Sequence, residues 1–369
     1  MSLSSPVFDS KRFRYIIMLR FVKSYTLWIY MLSCMFLLCG IAPIHATNQE
    51  SMDQNFRRFS LYFENDVFAG VDNQYTNGLK LTWSRYGLSR LPDDALFHRW
   101  LYPIAKRLGF SHLESEKTLT FSLGQNIYTP NDIETIELIK DDRPYAGVTY
   151  AEIGFHRKFH NQMHTFGFCF GIVGPHSYAK EVQTFAHEVL NDTAPGGWDH
   201  QLKDEPIFCI IYDYKRKIFA AGINDGIGGD VILSAGGGLG TARIFFNTGI
   251  SFRYGWNVPN DCGNFPIQPA TCFNAELKNG TCNLHNRLGV HLFTSFYGQA
   301  ILREIFLDGN LFQDSHSVDK KPVVGYFMGG LGIIFGKLKT VFAIVEHTRS
   351  FETQDEREVF GSINLSLDY

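Results

Sequence analysis

The chain has 369 residues, with 34 basic against 37 acidic side chains and a formal net charge of −3, so no basic excess marks nucleic acid as a partner. Aromatic residues make up 15% and glycines number 34, yet mean hydropathy is only −0.10. Past residue 46 no apolar run approaches the ~20 residues of a spanning helix, which excludes a helical membrane bundle. The seven cysteines are odd in number and irregular in spacing, with no C-x-x-C and no paired histidine, which argues against both a disulfide framework and a zinc site.

In chain order, Arg20 and Lys23 precede an uncharged stretch from Thr26 to Ile41, and "APIHA" follows with small residues at Ala42 and Ala46. A basic start, a short apolar middle and an A-x-A-like end read as a secretory signal peptide over 1–46, with Met18 as an alternative start. Two-residue alternation takes over from there. In "RRFSLYF" Phe59, Leu61 and Phe63 oppose Ser60 and Tyr62, and in "GLKLTWS" Leu79, Leu81 and Trp83 oppose Lys80, Thr82 and Ser84. The end, "GSINLSLDY", sets Ile363, Leu365, Leu367 and Tyr369 against Ser362, Asn364, Ser366 and Asp368, apolar out and polar in, as a membrane-embedded barrel strand requires.

Alternation and turn signals predict twelve strands: 57–66, 77–87, 117–128, 145–160, 162–175, 206–219, 228–239, 242–256, 288–308, 323–336, 338–351 and 358–369. An even antiparallel set can close into an all-β transmembrane barrel, and closure pairs every backbone N–H and C=O within the hydrocarbon. One barrel domain over 50–369 is the expectation. Tight turns at 160–162 and 336–337, set against long connections at 88–116, 129–144, 176–205 and 257–287, predict short loops on one side and long ones on the other. Cys262, Cys272 and Cys282 share the last of these, and two of them are placed to pair in an oxidising compartment.

One helix stands out, "SYAKEVQTFAHEVLND", with Val182, Phe185, Ala186, Val189 and Leu190 on one stripe and Ser177 as its expected N-cap. Gln183 and His187, one turn apart, lie along a border of that stripe, where the helix meets whatever it packs against. A lone histidine at such a seam is structural by default.

The segments "END" at 64–66, "YTNG" at 75–78, "DDRPYAG" at 141–147 and the series "GP…EVQ…AHE…GWDHQL" from 174 to 202 stand in the order found in the lipid A 3'-O-deacylase (LpxR-like) family. The chain resembles that family clearly over 58–215, and beyond it in strand pattern and terminus. The resemblance implies a twelve-stranded bacterial outer-membrane barrel, a calcium requirement, and hydrolysis of the ester that holds the 3'-linked acyloxyacyl group of lipid A. Its partners would be lipopolysaccharide and the lipids of the outer leaflet. Position by position, the resemblance gives Asn65, Asp66, Thr76 and His187 as active-site residues.

The chemistry this implies is coherent. A neutral His187 takes a proton from water, Asp66 holds the imidazole tautomer, and a hard cation stands by the developing oxyanion. Calcium prefers oxygen, which Asn65, Thr76 and carbonyls near Gly78 offer. The family pattern carries a glutamate a few residues past the histidine. Direct alignment puts Thr193 there and a one-residue gap puts Asp192, the expected acidic ligand, with Glu181 and Glu188 as substitutes. Arg143 either contacts a lipid A phosphate or pairs with Asp141 or Asp142, and Gln183 is expected at the substrate. By parity Asn65 continues the outer face of Phe63, while Asp66 and Thr76 do not fit, so the backbone is expected to distort at both.

Two rivals share the architecture. An outer-membrane phospholipase would carry a serine beside a histidine in an H-x-S-N-G setting, which does not occur. "DSHSVD" at 314–319 lacks the glycine and reads as a solvated loop. The other rival is a barrel with no catalytic activity.

Overall fold

The structure, a computed structural model, describes residues 57–66, 75–86, 115–190, 193–224, 226–263 and 288–369. The expected signal peptide, Asp192, Cys272 and Cys282 lie outside the described residues. Twelve antiparallel strands run in order: β1 (Arg57–Asn65), β2 (Tyr75–Tyr86), β3 (Glu116–Tyr128), β4 (Ala146–Phe159), β5 (Gln162–Val173), β6 (Glu205–Ala221), β7 (Ile227–Gly240), β8 (Arg243–Trp256), β9 (Leu288–Glu304), β10 (Val323–Phe335), β11 (Leu338–His347) and β12 (Glu358–Asp368). Each pairs with the next and β1 closes on β12, from Arg58 opposite Asp368 to Asn65 opposite Gly361. The ladder runs to the last residue, since Arg57 and Tyr369 exchange both backbone hydrogen bonds. Closure removes every edge, the condition for strands to cross hydrocarbon. No described helix is long and apolar enough to do so.

Two predicted strands end early. Residues 305–308 form a helical turn, α1 (Ile305–Asp308), ended by Gly309 at φ 77°. Beyond His347 the backbone turns away, and Gln354 Oε1 accepts the Ser350 N–H. Loop asymmetry also differs from expectation. Strand direction puts the long connections 87–115 and 257–287 at the same end as the tight turns 160–161 and 336–337 and the last residue, Tyr369. The connections 66–74, 129–145, 174–204, 305–322 and 348–357 share the opposite end, called here the near end.

Alternation points polar side chains inward, where many of them pair across the lumen. Arg58 grips Asp368 through two bonds of 2.5 and 2.8 Å, Lys80 pairs with Glu152, and His156 sits between the hydroxyls of Thr120 and Thr165. Toward the far end, residues 258–263 fold into the lumen. Asp261 there meets Arg253 and Lys339, Arg253 also binds both oxygens of Asp230, and Lys217 reaches Asp230 and Asn260. Cys262 is buried against Met163 as a free thiol, so no disulfide involves it.

Candidate active site at a helix–wall seam

The polar end of β1 is built by two local departures from the strand. β1 stops at Asn65, and Asp66, 1% exposed, starts a 3-10 turn. On β2 the pairing with β3 jumps from Tyr75–Tyr128 to Asn77–Ile127, which makes Thr76 the extra residue of a β-bulge. The distortion predicted at both positions is therefore present. Asn65 bridges the departures by donating from Nδ2 to the Thr76 carbonyl at 2.7 Å, and the Thr76 hydroxyl meets that of Thr129 at 2.8 Å.

The bulge also explains the Y-T-N-G spacing. One extra residue lets Tyr75 and Gly78 both face the lumen, and the Tyr75 ring lies back over Gly78, where a Cβ would stand 2.0 Å from the hydroxyl. That hydroxyl donates to Glu64 at 3.1 Å and accepts from Asn126 at 2.6 Å, while Ser362 donates to the other Glu64 oxygen. The lumen network thus pins the strand end from behind.

On the outer wall, direct pairing sets Asn65, Asn77, Ile127 and Gly147 in one row across β1 to β4. At about 4.8 Å per strand the row is roughly 15 Å long, the scale of a helix diameter with its side chains. The helix α2 (Ala179–Leu190) begins on this row. A Cβ on Gly147 would stand 2.1 Å from Ala179 Cβ and 2.3 Å from Ser177 Oγ, so only glycine seats the helix there. Gln125 and Thr149, from the outer face just below, donate to the Ser177 carbonyl at 2.7 and 2.8 Å. Ser177 is not the N-cap, because its hydroxyl turns back to the Gly174 carbonyl.

The face that α2 turns to the wall is not its apolar stripe. Ala179, Gln183 and His187 are buried, the last two at 3% and 8% exposure, while Val182 and Phe185 point away, Phe185 at 66%. His187 Nδ1 donates to the Thr193 carbonyl at 2.6 Å, which assigns the proton to Nδ1 and leaves Nε2 with a lone pair. The tautomer is therefore set by a backbone carbonyl, the role expected of Asp66. Gln183 Oε1 accepts from the indole of Trp198 at 2.8 Å. Trp198 is 1% exposed, packed on Tyr145 with ring centroids 5.0 Å apart. Burial pushes the Tyr145 hydroxyl up to about 12, and it stays a donor to the Ile133 carbonyl at 3.0 Å.

The structure brings Asn65, Asp66 and Thr76 together at one strand end, and Gln183 with His187 on the buried edge of the helix that begins along the same row. The Arg143 guanidinium turns into the lumen beside Tyr128 and Phe351, 3.7 Å from Glu358, and lines an internal cavity of about 80 Å³. His316 also departs from a solvated loop, since its Nε2 lies 2.7 Å from the Asp142 carbonyl. Among the described residues no group of three or more His, Cys, Asp or Glu could hold a metal. The strand-end donors are nonetheless all oxygens, the chemistry a hard cation prefers. Reading the sequence missed Trp198, Thr129 and the Gly147 seat; an indole donor fifteen residues past a buried amide is the one local signal.

A closed, polar-filled antiparallel barrel of twelve strands with apolar outer rows is a bacterial outer-membrane barrel. The family model described as outer membrane protein LpxR matches residues 31–369, and the chain belongs to that family. Among solved structures, LpxR from Salmonella typhimurium is similar at a TM-score of 0.64 and 17% identity, over 84% of this chain and 99% of that one. The β domain of the Bordetella autotransporter BrkA follows at a TM-score of 0.39 and 7% identity, over 86% and 98%. No curated protein matches the sequence.

Proposed function

We propose that the protein is a hydrolase of the outer leaflet that removes the 3'-linked acyloxyacyl group of lipid A. The observation that carries this reading is the inversion of α2, with its histidine and glutamine buried toward the wall and its apolar residues turned outward, where a barrel meets lipid. Acyl chains reach such a seam sideways.

Water is the nucleophile. His187 Nε2 takes its proton as the oxygen attacks the ester carbonyl, and the Thr193 carbonyl holds the ring while charge builds on it. The bond from carbonyl carbon to the sugar 3-oxygen then breaks, the imidazolium returns the proton to that oxygen, and a free acyloxyacyl acid and a 3-hydroxyl leave. Asn65, Asp66 and the Thr76 hydroxyl are the residues that would hold calcium, with Asp192 as the further acid. Calcium, when bound, supplies Lewis-acid polarisation of the carbonyl. Asn65 ties the first strand to the bulge, so the oxygen donors are held as a unit.

The test is mass spectrometry of lipid A from cells that express the chain, with calcium and with chelator. Loss of the 3' acyloxyacyl mass in calcium alone is expected. Unchanged lipid A from heat-modifiable, folded protein would leave a barrel without catalytic activity, and phospholipid cleavage in its place would give the other rival.

A further inference from the structure

Gln183 carries a donor that its surroundings do not use. The Trp198 indole N–H can only donate, so the carboxamide atom 2.8 Å from it must be the oxygen, which fixes the amide orientation. The other end, Nε2, is buried and has no hydrogen-bond partner among the described residues. A buried NH2 without an acceptor is costly, and native folds rarely keep one without a use. Nothing about this amide is loose. Trp198 is wedged on Tyr145, and Gly197 beside it lies so close to that ring that a Cβ would stand 2.5 Å from it. The chain here is also tied to the 129–145 connection, where the Ile133 carbonyl accepts both the Tyr145 hydroxyl and the Gly196 N–H.

His187 stands one turn further along the same buried edge, so the two side chains start about 5–6 Å apart. A carbonyl whose carbon is approached by water at His187 Nε2 would have its oxygen within reach of that amide. We infer that Gln183 Nε2 donates a hydrogen bond to the carbonyl oxygen of the scissile ester and strengthens it as that oxygen becomes negative. This rests on the hydrolase reading above. Trp198 is then a positioning residue, which aims the amide without touching the substrate. A donor fixed before the substrate arrives stabilises the transition state without reorganising.

The test is steady-state lipid A trimming in mixed micelles by the full-length purified barrel, read by mass spectrometry. Gln183→Met keeps length and removes the donor; Gln183→Glu keeps the acceptor for Trp198 and removes the donor. Both are expected to lower kcat on the order of 10²–10³-fold with KM nearly unchanged. Trp198→Phe keeps the packing and frees the amide, and is expected to fall between them and the parent. Heat-modifiable mobility should be that of the parent in all three. Parent-like kcat in Gln183→Met overturns the inference while leaving the hydrolase intact, as does a rise in KM alone. A parent barrel that leaves lipid A whole in calcium overturns both.

Discussion

The two ends of the barrel handle buried polar groups in opposite ways. At the far end Arg253, Lys217 and Lys339 face Asp230 and Asp261, so three cations share two carboxylates in one ion-pair network. At the near end the wall-side edge of α2 keeps an amide with nothing to donate to and an imidazole with a lone pair held open. Both ends are buried, so burial alone does not separate structure from function. Arrangement does: cations clamped on carboxylates hold shape, whereas an amide fixed at its oxygen, with its NH2 left over beside an imidazole, is aimed at a ligand.

The contrast can be broken from either end. The largest effect is expected from His187→Ala, which should cut lipid A trimming by about 10²–10⁴-fold while gel mobility stays that of a folded barrel. Trimming at the parent rate would remove the base from the mechanism. At the far end, Asp261→Ala leaves Arg253 and Lys339 without a shared carboxylate and should lower stability by about 3–5 kcal/mol, seen as a drop in the temperature of the gel-mobility shift. Trimming by the surviving folded fraction should not change, and a specific loss of activity there would erase the division of labour.

A smaller effect tests the seat. Gly147→Leu drives a side chain into Ala179 and Ser177, so α2 should lift at about 1–3 kcal/mol, with faster proteolysis of the 174–204 connection and reduced trimming. Unaltered proteolysis would mean the helix is held elsewhere. The smallest concerns Asp132, where the Thr135 hydroxyl, then the Glu134 N–H, hold the carboxylate below its ordinary value. A depressed value in the fold stabilises the turn above the unfolded value, near pH 4, and that contribution fades as pH falls through the folded one. Hydrogen exchange around 131–135 should therefore quicken in acid, and Asp132→Asn should remove the pH dependence. A parent turn equally protected at pH 3 and pH 7 would contradict the linkage.

The barrel was readable because its period is two, and a strand buried on one face and lipid-facing on the other repeats that rule at every position. Even the misfits were informative: Asp66 and Thr76 broke parity in the sequence and break the strand in the fold. The helix was misread in one respect for a physical reason. Apolar residues mark the packed face of a helix when the medium is water, but beside a membrane the medium is apolar too, so Val182 and Phe185 turn outward and the polar edge turns in. Trp198 escaped because a single indole–amide contact across a loop leaves no periodic trace. The position of Arg143 in the lumen was equally hidden, since its partner Glu358 lies more than two hundred residues away.

Under the lipid A hydrolysis proposed above, the outward-facing Val182 and Phe185 have a kinetic consequence. A catalyst whose entrance opens into a two-dimensional fluid responds to the mole fraction of its substrate in that fluid, not to moles per litre of buffer. Dilution of lipid A with inert amphiphile should slow turnover at constant bulk concentration, and short water-soluble esters should compete poorly however well they match the scissile bond.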